Sequence, residues 1–176
     1  MNYADIKYCD VANGEGVRVS LFVSGCTHHC KECFNKEAWD FHYGNLFTQK
    51  EIDRILEYLK PNYIAGLSLL GGEPMEPVNQ EGILPLLRAV KQTYPEKNIW
   101  CYTGYLFDKD VLDKMCIESE VTKEIVSYLD IVVDGEFMID RKNLKINFRG
   151  SDNQRIIDVK KTLDAGEIVH WEREIQ

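Results

Sequence analysis

The chemistry in this chain is concentrated in one short stretch. Cys26-Thr27-His28-His29-Cys30-Lys31-Glu32-Cys33-Phe34-Asn35 sets three thiols, Cys26, Cys30 and Cys33, in a Cys-x3-Cys-x2-Cys array. A loop with three soft donors can wrap them around one metal centre, because the intervening residues supply backbone without forcing the sulfurs apart. The spacing is neither that of the Cys-x2-Cys pairs of structural zinc sites nor that of the bacterial ferredoxin run. With no obvious fourth ligand nearby, the array reads as three ligands and an open coordination position. His28 and His29 bring imidazoles to the same loop, but a ligand squeezed between Cys26 and Cys30 is strained, and both are expected as exposed loop residues. Cys9, Cys101 and Cys116 are unclustered and read as small buried hydrophobes.

A second group is Gly71-Gly72-Glu73-Pro74. Glycine backbone can approach a ligand closely, and Glu73 offers a carboxylate acceptor for an ammonium group. The plain alternative is an ordinary strand-to-loop turn.

These loops need elements to hold them. The apolar run Val17 to Val23, interrupted by Arg18 and Ser20, predicts a strand that delivers Cys26 through the turn Ser24-Gly25. Residues 1 to 16 contain a polar Asn-Gly-Glu-Gly turn. Thr48-Gln49-Lys50-Glu51 has the form of a capping box, and Ile52, Ile55, Leu56 and Leu59 fall on one face of a helix that Pro61 stops. Ile64 to Leu70 predicts a second strand that opens into Gly71. A helix is expected from the mid-80s to Thr93 through Leu86, Leu87 and Val90, with Pro85 tolerable only in its first turn. Asn98 to Tyr102 is strand-like and ends at Thr103-Gly104-Tyr105. Asp108 to Met115 and Ser119 to Leu129 read as helices that meet around Cys116, and Asp130 to Val133 is a strand ending at Asp134-Gly135. Gln154 to Leu163 reads as a strand running into a helix or as a helix alone, and Ile168 to Trp171 as a final strand.

Strands alternating with helices argue for an α/β fold with a mostly parallel sheet, whose ligands gather at the carboxyl ends of the strands. The special loops all sit at such ends. At 176 residues the chain is short for a closed eight-stranded barrel. The expectation is an incomplete, open (β/α) barrel in a single domain over residues 1–176. No internal repeat, linker or low-complexity segment divides it.

Composition narrows the function. The chain is 44% hydrophobic and 28% charged, as in soluble globular proteins. No apolar stretch approaches the roughly 20 residues that cross a bilayer, and Met1 to Asp10 lacks the features of a secretory leader. A cytoplasmic protein with no membrane partner is expected. The net charge of -8, with scattered basic residues, offers no footprint for nucleic acid. Without an export signal, the clustered cysteines are better read as reduced ligands than as disulfides.

Taken together, the motifs resemble the radical S-adenosylmethionine (radical SAM) superfamily, whose hallmark is this three-cysteine spacing after the first strand. The narrower resemblance is to its anaerobic ribonucleoside-triphosphate reductase activating proteins. It is carried in matching order by Asn13-Gly14-Glu15-Gly16, Gly25 to Trp39, Gly71 to Pro74, Thr103-Gly104-Tyr105, Val133-Asp134-Gly135, and Arg149-Gly150-Ser151 with Asn153-Gln154. The last twenty or so residues lie outside it.

The resemblance implies a 4Fe-4S cluster on Cys26, Cys30 and Cys33, with the fourth iron open to the amino and carboxylate groups of S-adenosyl-L-methionine (SAM). It places Gly71, Gly72 and Glu73 at the methionine part and the backbone of Glu32, Cys33 and Phe34 against the adenine. Glu32 departs from the pattern: that position is aromatic in much of the superfamily and commonly glycine in these activases, so backbone contact is expected there and side-chain stacking is not. Tyr105, Asp134, Arg149, Ser151, Asn153 and Gln154 are candidates for SAM or partner contacts, or else turn and cap residues. Trp39, Phe41 and Tyr43 pack over the cluster loop or serve as plain core. The implied reaction abstracts a hydrogen atom and not a proton, so no side chain is cast as a general base.

The implied activity is generation of a glycyl radical on the reductase. Its partners would be the reductase and a small electron donor such as flavodoxin, and self-association is compatible with it. Two alternatives stay open. One is activation of another glycyl radical enzyme such as pyruvate formate-lyase, or a radical rearrangement of a small substrate. The other is a metal-binding electron-carrier or structural module without SAM chemistry, with a fourth ligand from His28, His29 or a distant cysteine.

Overall fold

The structure, a computed structural model, describes residues 1–173. Its centre is four parallel strands in which each Val/Leu/Ile-rich run predicted above finds its neighbour. β2 (Val17–Val23) pairs with β4 (Ile64–Gly71), β4 with β5 (Asn98–Tyr102), and β5 with β6 (Ile131–Asp134). Antiparallel strands complete both margins: β1 (Asn2–Asp10) on β2, the two-residue β3 (Asn45–Leu46) on β1, and β7 (Arg155–Asp158) on β6. The fold is a mixed α/β arrangement around an open seven-stranded sheet of order β3-β1-β2-β4-β5-β6-β7. Because β2, β4, β5 and β6 run the same way, the loops after Val23, Gly71, Tyr102 and Asp134 leave from one edge.

The period-two alternation of a strand gives the sheet two different faces. Val19, Leu21, Val23, Leu67, Leu69, Ile99, Cys101 and Val132 join the main apolar core with residues of α1 (Gln49–Leu59), α2 (Pro77–Thr93) and α4 (Glu120–Tyr128). The opposite face carries Ser20, Ser68, Trp100 and Ile131 in register, and a smaller cluster of Trp100, Ile131 and Val133 with Phe148 and Trp171. Arg18 belongs to this second face. It is fully buried, donates to Ser68 Oγ at 2.7 Å and to the carbonyls of Glu15, Leu67 and Asn98, and lies over the Trp100 ring. Burial pulls its guanidinium down to about 10, so it remains a cation at neutral pH. The interruption in the Val17–Val23 run is therefore a buried polar layer, with the Arg18 donors spent on one hydroxyl and three main-chain oxygens.

The capping box forms as expected: Thr48 Oγ1 accepts from the Lys50 amide while Glu51 Oε2 accepts from the Thr48 amide at 2.8 Å. α1 ends at Leu59, short of Pro61. Two expectations need correction. α2 starts at Pro77, well before the mid-80s, and holds Pro85 in its interior. Pro85 and Glu81, whose carbonyl loses its donor, are both on the exposed side of the helix, where water can replace the missing bond. Ile168 to Trp171 is no strand: a single bridge joins His170 to Ile157, and Trp171 packs on Trp100 with centroids 5.3 Å apart.

β1 escaped the sequence reading because irregularities between Tyr3 and Asp5 and between Lys7 and Asp10 break its alternation, and much of it is exposed. The ambiguous Gln154 to Leu163 resolves as β7 followed by α5 (Val159–Ala165), capped by Asp158 and closed by Gly166 at φ +72°. Asp108 to Met115 winds as a π-helix (Phe107–Met115) running into a short α3 (Cys116–Glu118), and Ser119 then caps α4 by accepting from the Thr122 amide. Among the described residues no helix is long and apolar enough to cross a membrane.

Candidate functional site

The four parallel strand ends surround a cavity of about 570 Å3. Its floor is the second face of the sheet, with Phe22, Leu70, Tyr102 and Val133. Cys26, Cys30 and Cys33 form one wall beside Gly71, Gly72 and Glu73, and Thr103-Gly104 and Gly135 to Phe137 form the next. The expected thiols, glycines and carboxylate thus face a common space.

The cysteine loop is held at both its start and its middle. The amide of Gly25 donates to Ala38 O at 2.8 Å and that of Cys26 to Trp39 O at 3.2 Å, while the Phe41 ring covers Gly25 so closely that a Cβ there would lie 2.2 Å from it. Trp39 and Phe41 do pack on the loop, whereas Tyr43 is exposed. The amides of Gly72 and Glu73 donate to Val23 O at 2.7 Å and Gly25 O at 2.8 Å, which zips the second loop to the first. Both the amide and the hydroxyl of Thr27 donate to Glu76 Oε1, and Asn79 Nδ2 donates to Glu73 O at 2.9 Å. Glu76 and Asn79 are buried and were not anticipated. Glu76 sits one turn beyond Glu73, where no periodic or spacing signal marks it; only the fold sets it against Thr27.

Glu73 is 1% exposed, and both of its carboxylate oxygens accept hydrogen bonds. Its Oε1 accepts from the Met75 amide at 2.8 Å, and its Oε2 from the Gly104 amide at 2.7 Å and from His28 Nε2 at 2.9 Å. His28 is therefore not the exposed loop residue expected from sequence. Its Nδ1 pairs with Glu136 Oε1 at 3.0 Å and its ring stands edge-on to Tyr105, 4.4 Å between centroids. Burial pulls this imidazole down, and hydrogen bonds to Glu73 and Glu136 more than reverse it, leaving it above its ordinary value. His29 is exposed as expected and leans on Trp39. Burial pushes the Cys26 thiol up to about 11 and the Cys30 thiol up as well.

Around the last cysteine, Glu32 holds φ +57°, a left-handed conformation that glycine adopts most easily, and its exposed side chain lies 3.5 Å from Lys36. Phe34 is 69% exposed at the cavity rim, in tilted contact with Phe137 at 4.8 Å between centroids and with Lys142 over its ring. On the far wall, Gln154 Oε1 accepts from the Gly150 and Ser151 amides while its Nε2 donates to Gly135 O at 2.9 Å. Ser151 accepts from the Met138 amide, Asn153 donates to Glu136 O, and Asp134 accepts from the Phe107 amide and from Arg155. Asp134, Ser151 and Asn153 serve turn and anchor chemistry, whereas Arg149 and Gln154 also line the cavity.

Among the described residues no three His, Cys, Asp or Glu side chains converge on a point suited to one ion. A cube does not require such convergence, since each thiolate takes a different iron. The donors on this wall are three thiols from one loop, the soft set that iron–sulfur chemistry uses. Cys101 is buried in the apolar core and Cys9 is exposed on β1, away from that wall.

A family model described as a 4Fe-4S single cluster domain matches residues 12–157, a span that takes in every loop at this edge of the sheet. This match places the chain among proteins with a 4Fe-4S single cluster domain. The anaerobic ribonucleoside-triphosphate reductase-activating protein of Enterobacteria phage T4 is 42% identical over 158 residues, covering 89% of this chain and 93% of the relative. The protein of that name from Haemophilus influenzae is 42% identical over 89% of this chain and 97% of its own length, and that from Escherichia coli K12 38% over 88% and 96%. The chain belongs to the family of anaerobic ribonucleoside-triphosphate reductase-activating proteins.

Proposed function

We propose that this protein is an oxygen-sensitive radical SAM activase that generates a glycyl radical on an anaerobic ribonucleoside-triphosphate reductase. The supporting observation is that Cys26, Cys30 and Cys33 share one cavity with Gly71, Gly72 and Glu73. In this reading the three cysteines hold a 4Fe-4S cluster, which supplies when bound the electron that cleaves SAM to methionine and a hydrogen-abstracting 5'-deoxyadenosyl radical. Glu73 receives the methionine ammonium, the Gly71-Gly72 backbone lets the ligand lie close to the sheet edge, and the backbone of Glu32, Cys33 and Phe34 borders the adenine.

The remaining residues position and shield. The floor of Phe22, Leu70, Tyr102 and Val133 is mostly apolar and helps exclude water, and the rim at Phe34 and Phe137 is where the reductase's glycine-bearing segment closes the mouth. The open sheet is taken as an incomplete barrel of the radical SAM type in one domain over residues 1–176. It works in the cytoplasm with electrons from a small carrier such as flavodoxin.

The test is to incubate the anaerobically reconstituted, reduced protein with SAM and the reductase, then record the glycyl radical by electron paramagnetic resonance. A radical on the reductase is the expected result. A radical on pyruvate formate-lyase alone moves the reading to that alternative, and bound zinc without SAM cleavage moves it to a metal-binding module.

A further inference from the structure

We infer that His28 is a positioning residue that aims the Glu73 carboxylate at the amino-acid end of the cosubstrate, an assignment that rests on the radical SAM reading above. An ionised carboxylate has about four acceptor sites, two on each oxygen. On Glu73, Oε2 spends both, on the Gly104 amide and His28 Nε2, and Oε1 spends one on the Met75 amide. One site on Oε1 remains for a further donor, and a primary ammonium fits it. Glu73 is buried and borders the cavity, so that donor must come from a cavity occupant.

Among the described residues His28 is the one side chain that hydrogen-bonds the Glu73 carboxylate, and it is itself immobilised. A carboxylate can only accept, so Nε2 donates to it. Nδ1 pairs with Glu136 at 3.0 Å, the ring abuts Tyr105, and a Cβ on Gly104 would lie 2.6 Å from the imidazole. The imidazole is thus wedged among the loops that follow β4, β5 and β6 while its own backbone lies between Cys26 and Cys30. The sulfur loop and the carboxylate are tied at fixed separation. An α-amino acid that must reach Glu73 with its ammonium and the sulfur loop with its other end meets both already set.

The two ring nitrogens can be tested apart. In His28→Gln the amide nitrogen stands where Nε2 stood, and in His28→Asn it stands where Nδ1 stood. We measure iron per chain, melting temperature and SAM affinity by anaerobic equilibrium dialysis on the reconstituted protein. We also record the change that SAM induces in the paramagnetic spectrum of the reduced cluster. His28→Gln should hold SAM within about three-fold of native, whereas His28→Asn and His28→Ala should weaken it about ten-fold or more, the usual scale for a hydrogen bond to a charged group. The spectral change should need correspondingly more SAM. Equal affinities for the Gln and Asn variants overturn the assignment, as does iron loss in all three, which would make His28 a scaffold of the loop only. If the native protein binds iron but no SAM, the functional reading itself fails and the assignment falls with it.

Discussion

Gly72→Ala is the sharpest test of how the two chemical loops fit together. Gly72 has no left-handed φ, so alanine brings no backbone strain and the perturbation is purely steric. A Cβ there would lie 2.6 Å from Gly25 O and 2.8 Å from Ala38 O, both main-chain atoms that cannot swing aside. Reaching even 3.0 Å from Gly25 O requires the loops to part by about 0.4 Å, against the bonds from Gly72 N to Val23 O and Glu73 N to Gly25 O. Overpacking of this kind costs about 1–3 kcal/mol. For a chain of this length each kcal/mol moves the melting temperature by roughly 2–4 °C, which gives a fall of about 2–12 °C.

The assay is an anaerobic thermal melt, run beside the glycyl-radical yield, with Gly166→Ala as control. Gly166 has φ +72° and no heavy atom within 4 Å of a new Cβ, so alanine there meets only left-handed strain of about 1–2 kcal/mol. The control should lower stability and spare the yield; Gly72→Ala should lower both. A native melting temperature and native yield for Gly72→Ala, with the control behaving as described, refute the close-approach argument.

Single Ala replacements of Cys26, Cys30 or Cys33 should abolish the 4Fe-4S absorbance, while those of Cys9, Cys101 or Cys116 should keep it; loss from Cys101→Ala contradicts a three-ligand site. Arg18→Lys removes the fork that reaches Ser68 and the Leu67 and Asn98 carbonyls together, so the urea midpoint should fall by an amount equal to about 1–3 kcal/mol. Asp130 carries a pH signature. Burial raises its carboxyl, but the Ile99 amide, Lys160 and Lys91 outweigh that and hold it below the ordinary 3.8. A depressed carboxyl contributes stability above its unfolded value and loses it as pH falls through the folded one. Denaturant midpoints of native protein and Asp130→Asn should therefore differ at pH 7 and draw together below about pH 4, and a gap that persists into acid counts against this account.

How far the sequence could be read depended on the range of each determinant. The Thr48–Glu51 box, the turn into Cys26 and the loop at Gly71 were legible because their partners lie within a few residues. β1 and the length of α2 were not, because bulges erase the alternation of the first and solvent relieves Pro85 in the second. The exposed reading of His28 failed for a different reason. Its partners Glu73 and Glu136 stand 45 and 108 residues away.

By itself the sequence determined the reactive groups: thiol spacing, the Gly-Gly-Glu loop and the apolar runs that end at them are local patterns written in adjacent residues. The tertiary structure alone decided how those groups face one another. Parallel strands pair only through long crossovers, so Thr27 meets Glu76 and His28 meets Glu73 through sheet order, while Gln154 meets Gly135 where the antiparallel β6 and β7 come together, and no neighbouring residue records these contacts.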